Sequence, residues 1–120
     1  MRVVVTAQRS GMDAPVDPRF GRSACLMVID TETGSFEAVD NHVNLNAAQG
    51  AGVQAAQKVA ELKAAALVTG QVGPKAFRAL SAGGIAVYAG ASGTVKEALD
   101  SFQAGRLRQV DTATVDGHWM

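Results

Sequence analysis

The 120-residue chain carries one cysteine, two histidines and three prolines, and only 5% of its residues are aromatic. A lone thiol excludes a disulfide framework. It also excludes zinc-finger and iron-sulfur ligand sets, which need several thiolates at short intervals. Lys and Arg together number 11, as do Asp and Glu. The cancelled charge leaves no global attraction for nucleic acid or for an anionic membrane, so any charge-based function must be local. The apolar run Val3-Val4-Val5 stops at Thr6, far short of a secretory hydrophobic region or a membrane span, and a cytoplasmic protein, acting as a monomer, is expected. No Ser or Cys has an evident partner base, and no strand carries the paired inward carboxylates of a two-metal nuclease. An enzyme is therefore not expected.

What the chain does have is glycine, 13 residues of it, and a hydrophobic share of 48%. A chain of this length buries enough surface to fold unaided, so one domain over residues 1–120 is expected, with its core in 2–107 and a C-terminal tail in 108–120. Residues 2–7 are β-branched and read as a buried strand. Residues 8–23 hold Gly11, Pro15, Pro18 and Gly21 and cannot form a regular element, an unusual length for a loop and a reason to look there for function. Residues 25–30 and 35–40 flank Thr31-Glu32-Thr33-Gly34 and read as a hairpin. Asn46 and Gln49 have capping-box spacing, and the periodicity predicts a helix over 47–63. A strand at 65–69, a helix from Pro74 to Gly83, a strand at 85–89 and a helix from Thr94 to Gly105 follow. Residues 110–115 read at best as a weak edge strand. The predicted class is α/β, a mixed five-stranded sheet in the order βββαβαβα with helices on its faces. If only the second strand is reversed, loops 8–23, 41–46, 70–73 and 90–93 all emerge at the carboxyl edge, where open α/β sheets bind ligands.

Gly70-x-x-Gly73-Pro74 and Gly90-x-Ser92-Gly93-Thr94 place backbone N–H groups and helix N-termini at that edge, the requirement for an anion site. Either pair also reads as an ordinary strand-to-helix turn. Neither continues into the Lys-Ser/Thr of a nucleotide-binding loop. Asp17-Pro18-Arg19-Phe20-Gly21-Arg22 is the densest signal in the chain. Two guanidiniums three residues apart offer planar donors to an oxyanion or sulfide, and Phe20 between them is expected to cover an apolar ligand face; the alternative is a surface loop in which Asp17 pairs with an arginine. Cys25 opens a strand beside this loop and reads as either a small buried hydrophobe or a ligand. His42 follows the third strand and is a second candidate ligand, whereas His118 reads as incidental.

Asp17-x-Arg19-Phe20-Gly21, Asn41 after the third strand, Gly70-x-x-Gly73-Pro74-x-Ala76-Phe77, Gly84-Ile85-x-Val87-Tyr88 and Ala98-Leu99-x-x-Phe102-x-x-Gly105-x-Leu107 recur in order. With them, residues 2–107 resemble the dinitrogenase iron-molybdenum cofactor biosynthesis family. The resemblance implies a ribonuclease H-like fold and the carriage or storage of metal-sulfur cofactors without turnover. Among single-domain members it leans towards those that hold a molybdenum-copper sulfide cluster without covalent attachment. Iron-molybdenum cofactor precursors are the alternative cargo, and a metal-free protein-interaction module is the alternative of another class. Many relatives have His where this chain has Arg19. The departure disfavours direct coordination and favours ionic, hydrogen-bonded capture of an anionic cluster whose metals are already saturated by sulfide.

Overall fold

The structure is a computed structural model that describes residues 1–41 and 51–111. Its elements are β1 (Arg2–Ala7), β2 (Cys25–Asp30), β3 (Phe36–Asp40), α1 (Ala51–Glu61), β4 (Ala66–Val68), α2 (Pro74–Ala82), β5 (Ala86–Ala89), α3 (Val95–Gln103) and β6 (Arg108–Gln109). They form an α/β fold with one mixed sheet in the order β3-β2-β1-β4-β5-β6. β1, β4 and β5 run parallel, β2 is antiparallel to both its neighbours, and β6 is antiparallel to β5. The sheet thus has six strands where five were expected. The sixth falls in the stretch assigned to the tail, pairing Gln109 with Tyr88 and Arg108 with Ala89. Two residues are too few to show a period of two, which is why the pattern missed them. Of the weak strand expected at 110–115, residues 112–115 lie outside the described residues.

Alternation along the strands divides the core between the two faces of the sheet. Val3, Val5, Cys25, Met27, Ile29, Ala66 and Val68 pack with Val95, Ala98 and Leu99 of α3. Val4, Leu26, Val28, Leu67 and Val87 pack with Ala55, Ala56 and Val59 of α1 and with Ala76 and Leu80 of α2. Because β1 and β4 are covered on both sides, Val3 to Val5 and Ala66 to Val68 are continuous apolar runs, as expected of buried parallel strands. Gly52 lets α1 approach α2, since a Cβ there would stand 3.0 Å from that of Ala76. The predicted start of this helix, with the Asn46 and Gln49 capping box, lies outside the described residues. Its end comes two residues earlier than expected. Lys63 takes φ +58°, and Ala64 N–H returns to the Val59 carbonyl, closing a Schellman turn that cannot continue as helix. No described helix is long and apolar enough to cross a membrane.

The long loop between β1 and β2 is held by its backbone to the carboxyl ends of the parallel strands. Asp17 N–H donates to the Thr6 carbonyl at 2.9 Å, and the Thr6 hydroxyl donates back to the Asp17 carbonyl at 2.8 Å. The Thr6 hydroxyl also stands 2.9 Å from that of Thr69, and both are fully buried. With the Thr6 proton committed to Asp17, Thr69 must be the donor of that pair. Farther along, Gln71 N–H reaches the Pro18 carbonyl at 2.7 Å and Phe20 N–H the Gln71 carbonyl at 3.0 Å. Val16 N–H donates to the Gly93 carbonyl, and Val95 and Lys96 N–H donate to the carbonyls of Ala14 and Met12. The irregular segment 8–24 is tolerated because its polar backbone groups are satisfied in this way.

Pro18 lies so close to Gly70 that a Cβ on Gly70 would come within 2.6 Å of both its Cα and its carbonyl oxygen. Gly70→Ala must push the loop off the β4 end, and we expect a loss of about 1–3 kcal/mol in urea unfolding. Unchanged stability would show that the loop is not seated on Gly70.

Candidate functional site

The segment fixed by these bonds borders a cavity of about 460 Å³, lined by Gln8, Asp17, Pro18, Arg19, Arg22 and Ala24. Its geometry is built from the backbone outward. Asp17 is only 7% exposed, and its Oδ1 accepts the Arg19 N–H at 3.0 Å, a local turn that sets the direction in which the chain leaves Pro18. Phe20 is 1% exposed and packs in the core on the α1 and α2 side, so it anchors the middle of the loop. Gly21 follows at φ +96°, a conformation a side chain would strain, and Arg22 N–H turns back to the Arg19 carbonyl at 3.4 Å. Anchor and turn together put exposed Arg19 and half-buried Arg22 on the wall of one cavity.

The structure puts Arg19 and Arg22 on one cavity, with Gly21 in the turn between them and not in the lining, and separates several other candidates from them. Phe20, expected to cover a ligand, is instead spent inside the core, where as the loop's one aromatic side chain it fastens the segment to the α1 and α2 side. Asn41 is fully buried and holds the far end of the loop, its Nδ2 donating to the Ser23 carbonyl at 2.8 Å and its N–H to the Ala24 carbonyl at 2.9 Å. Gly70, Gly73, Gly90, Ser92 and Gly93 lie at the carboxyl edge but do not line the cavity. Gly70 serves close packing, and Gly90 N–H is taken by the Gly70 carbonyl at 2.9 Å. The first turn of α3 has no donor left for an anion. Thr94 and Glu97 form a reciprocal capping box, Val95 and Lys96 donate to the long loop, and Ala98 N–H closes on the Thr94 carbonyl. At α2, Gly73 is a buried N-cap with no side-chain cap. His42 lies outside the described residues.

Cys25 is 6% exposed within the core, next to the lining residue Ala24. Burial pushes its thiol above the ordinary range, a backbone hydrogen bond at Val39 opposes this, and the Asp40 carboxylate adds to the rise. A thiol kept protonated is a poor ligand. Among the described residues no three His, Cys, Asp or Glu side chains gather as a metal-holding group. The lining residues missed in the sequence are Gln8 and Ala24. Both are adjacent to strand ends at the carboxyl edge, Gln8 just after β1 and Ala24 just before β2, and that position was the only signal available.

The chain as a whole is similar to known proteins. A family model described as dinitrogenase iron-molybdenum cofactor matches residues 1–105. The apo form of the orange protein from Desulfovibrio gigas is 43% identical, with 95% of this chain and 96% of that one covered and a TM-score of 0.93. A putative NifB protein from Thermotoga is 34% identical, with 97% and 98% covered and a TM-score of 0.84. An uncharacterized protein of Methanocaldococcus jannaschii is 27% identical over 99 residues, 80% of this chain and 83% of its own length. The long loop, both glycine turns and the three described helices fall inside the matched span, which stops short of β6, and the chain belongs to the dinitrogenase iron-molybdenum cofactor family.

Proposed function

We propose that this protein binds and carries an anionic molybdenum-containing metal-sulfide cluster, with a molybdenum-copper sulfide favoured, and that it does so without covalent attachment and without catalysing a reaction. The observation that carries the reading is that two arginines, Arg19 and Arg22, line one cavity built at the carboxyl edge of the sheet. Guanidinium N–H groups form charge-assisted hydrogen bonds to the outer atoms of an anion and hold no metal themselves. A cargo whose metals are saturated by sulfide needs only that. The volume lies in the range of small-molecule sites, about 300–1,000 Å³. The donor set fits such a cargo better than a bare ion, because the one nearby thiol is buried and protonated. The reversed second strand in the order β3-β2-β1-β4-β5 supports a ribonuclease H-like reading of the fold. The family description favours iron-molybdenum cofactor precursors as a second cargo, which the same arginines would serve.

Titration of the protein with tetrathiomolybdate and copper, followed by charge-transfer absorption, tests the reading. Arg19→Ala and Arg22→Ala should each weaken binding by about ten-fold to a hundred-fold, the loss expected for one charge-assisted hydrogen bond, with the far-ultraviolet circular dichroism unchanged. Arg→Lys should fall between, keeping charge but losing the planar fork. Wild-type affinity in the double alanine variant would remove the arginines from the site.

Cys25→Ser should retain stoichiometric cluster. In the folded protein the thiol should also react slowly with iodoacetamide at pH 8 compared with the urea-unfolded chain, because the raised folded-state pKa keeps it protonated. The same sign means that its contribution to stability is present below the unfolded thiol's pKa and is lost as pH rises beyond it. Loss of cluster from a folded Cys25→Ser protein would make the thiol a ligand.

A further inference from the structure

At the edge of the sheet farthest from β6, β3 pairs with β2 on one side, and no described strand pairs with it on the other. Two flanking bonds fix the phase of its ladder. Asp30 N–H donates to the Ser35 carbonyl and Asn41 N–H to the Ala24 carbonyl, each at 2.9 Å, so Ser35, Glu37, Val39 and Asn41 turn their backbone groups towards β2. Phe36, Ala38 and Asp40 therefore turn theirs outward. Lys58 Nζ covers the Asp40 carbonyl at 2.8 Å. The N–H and C=O of Phe36 and of Ala38, both exposed residues, are left as a template for a further strand.

Edges of this kind are commonly blunted by charge, and here the charge has one sign. Residues 30–40 hold Asp30, Glu32, Glu37 and Asp40 and no Lys or Arg. A cavity of about 240 Å³ lies against the strand with Asp30 and Glu37 in its lining, and its one cation, Arg2, donates through Nη1 to the Leu62 carbonyl at 2.6 Å. Alternation puts Glu37 on the face of its cross-strand neighbour Val28, and Phe36 on the opposite face with Ile29. Phe36 is 55% exposed; among the described residues the terminal Met1 is the one other large apolar side chain left in solvent. The edge thus offers unpaired main chain, carboxylates on one face and an apolar ring on the other.

We propose that the outer edge of β3 is a docking site for a partner protein, which adds a basic extended segment to the sheet as a further strand. Its main chain pairs with Phe36 and Ala38, its Lys or Arg side chains lie on the face of Asp30 and Glu37, and its apolar side chains lie on the face of Phe36. The site shares no lining residue with the cargo cavity and does not rest on the cargo reading. A second copy of this chain fits the edge less well. Antiparallel pairing of Phe36 with Ala38 of the copy sets the two Glu37 side chains directly opposite each other, and like charges so placed are destabilising.

A capped peptide alternating Lys and Val, titrated into the full chain and followed by amide-resolved NMR, tests the proposal. The Phe36 and Ala38 amides should shift most and gain protection from hydrogen exchange at saturation, whereas a peptide alternating Glu and Val should not bind. Glu37→Lys should weaken binding by about ten-fold or more, because it sets like charges together. Ala38→Pro removes an outward N–H and leaves the β2 ladder intact, so it should abolish binding with the far-ultraviolet circular dichroism unchanged. Should that variant fail to fold, N-methylation of the peptide backbone removes the donors from the other side and should abolish binding to the wild type. No binding of the Lys and Val peptide, shifts centred away from residues 36–38, or binding that survives the loss of main-chain donors would overturn the inference. Dimerisation in sedimentation that Glu37→Lys or Ala38→Pro abolishes would also overturn it, since the edge would then belong to a second copy.

Discussion

Everything at the carboxyl edge depends on the two-way hydrogen bonding between Thr6 and Asp17. A strand end and a loop residue exchange backbone and hydroxyl hydrogen bonds of 2.8–2.9 Å in a place from which water is excluded. Such bonds matter less for what they add to stability than for what their loss would cost, since each unmade one would leave a buried donor or acceptor without water. Thr69 extends the arrangement to β4, and Pro18 against Gly70 closes it sterically. The backbone on either side of the arginines is thereby fixed before any ligand arrives.

That fixing decides whether two arginines amount to a site. Exposed guanidiniums on a mobile loop gain little from an anion, because ordering them offsets most of the screened attraction. Here the loop is fastened at Asp17 by Thr6, at Pro18 by Gln71, at Phe20 by the core and at Ser23 and Ala24 by Asn41, so the backbone share of the ordering cost is already met in folding. The same logic explains why the helix N-termini contribute less than their sequence suggests. A helix end attracts anions only while its first N–H groups are unpaired, and at α3 the capping box and the carbonyls of Met12 and Ala14 have taken them.

The fold was largely legible because its strands are buried on known faces: Val3 to Val5 and Cys25 to Asp30 keep to the expected bounds, and Gly34 and Gly84 fall where the chain reverses. β6 was not legible, since its two exposed residues are defined only by pairing with β5. At the site, the Arg19 and Arg22 spacing could be read directly, but the direction of Phe20 could not. An aromatic flanked by arginines has the same local pattern whether it covers a ligand or anchors a loop, and the choice is made by the core in which Phe20 joins Val4, Leu26 and Val72. Gln8 and Ala24 show the complementary limit. Their place in the cavity comes from the meeting of the β1 and β2 ends, which no local pattern encodes.

The account's central claim is that cargo enters the cavity between β1, β2 and the clamped loop, and an amide-resolved NMR titration with tetrathiomolybdate and cuprous ion tests it most directly. The account predicts the largest perturbations at Gln8 and across residues 17–24, with the capped amides of Val95 to Ala98 nearly still. Perturbations centred on Gly90 to Gly93 with residues 17–24 unmoved would contradict it.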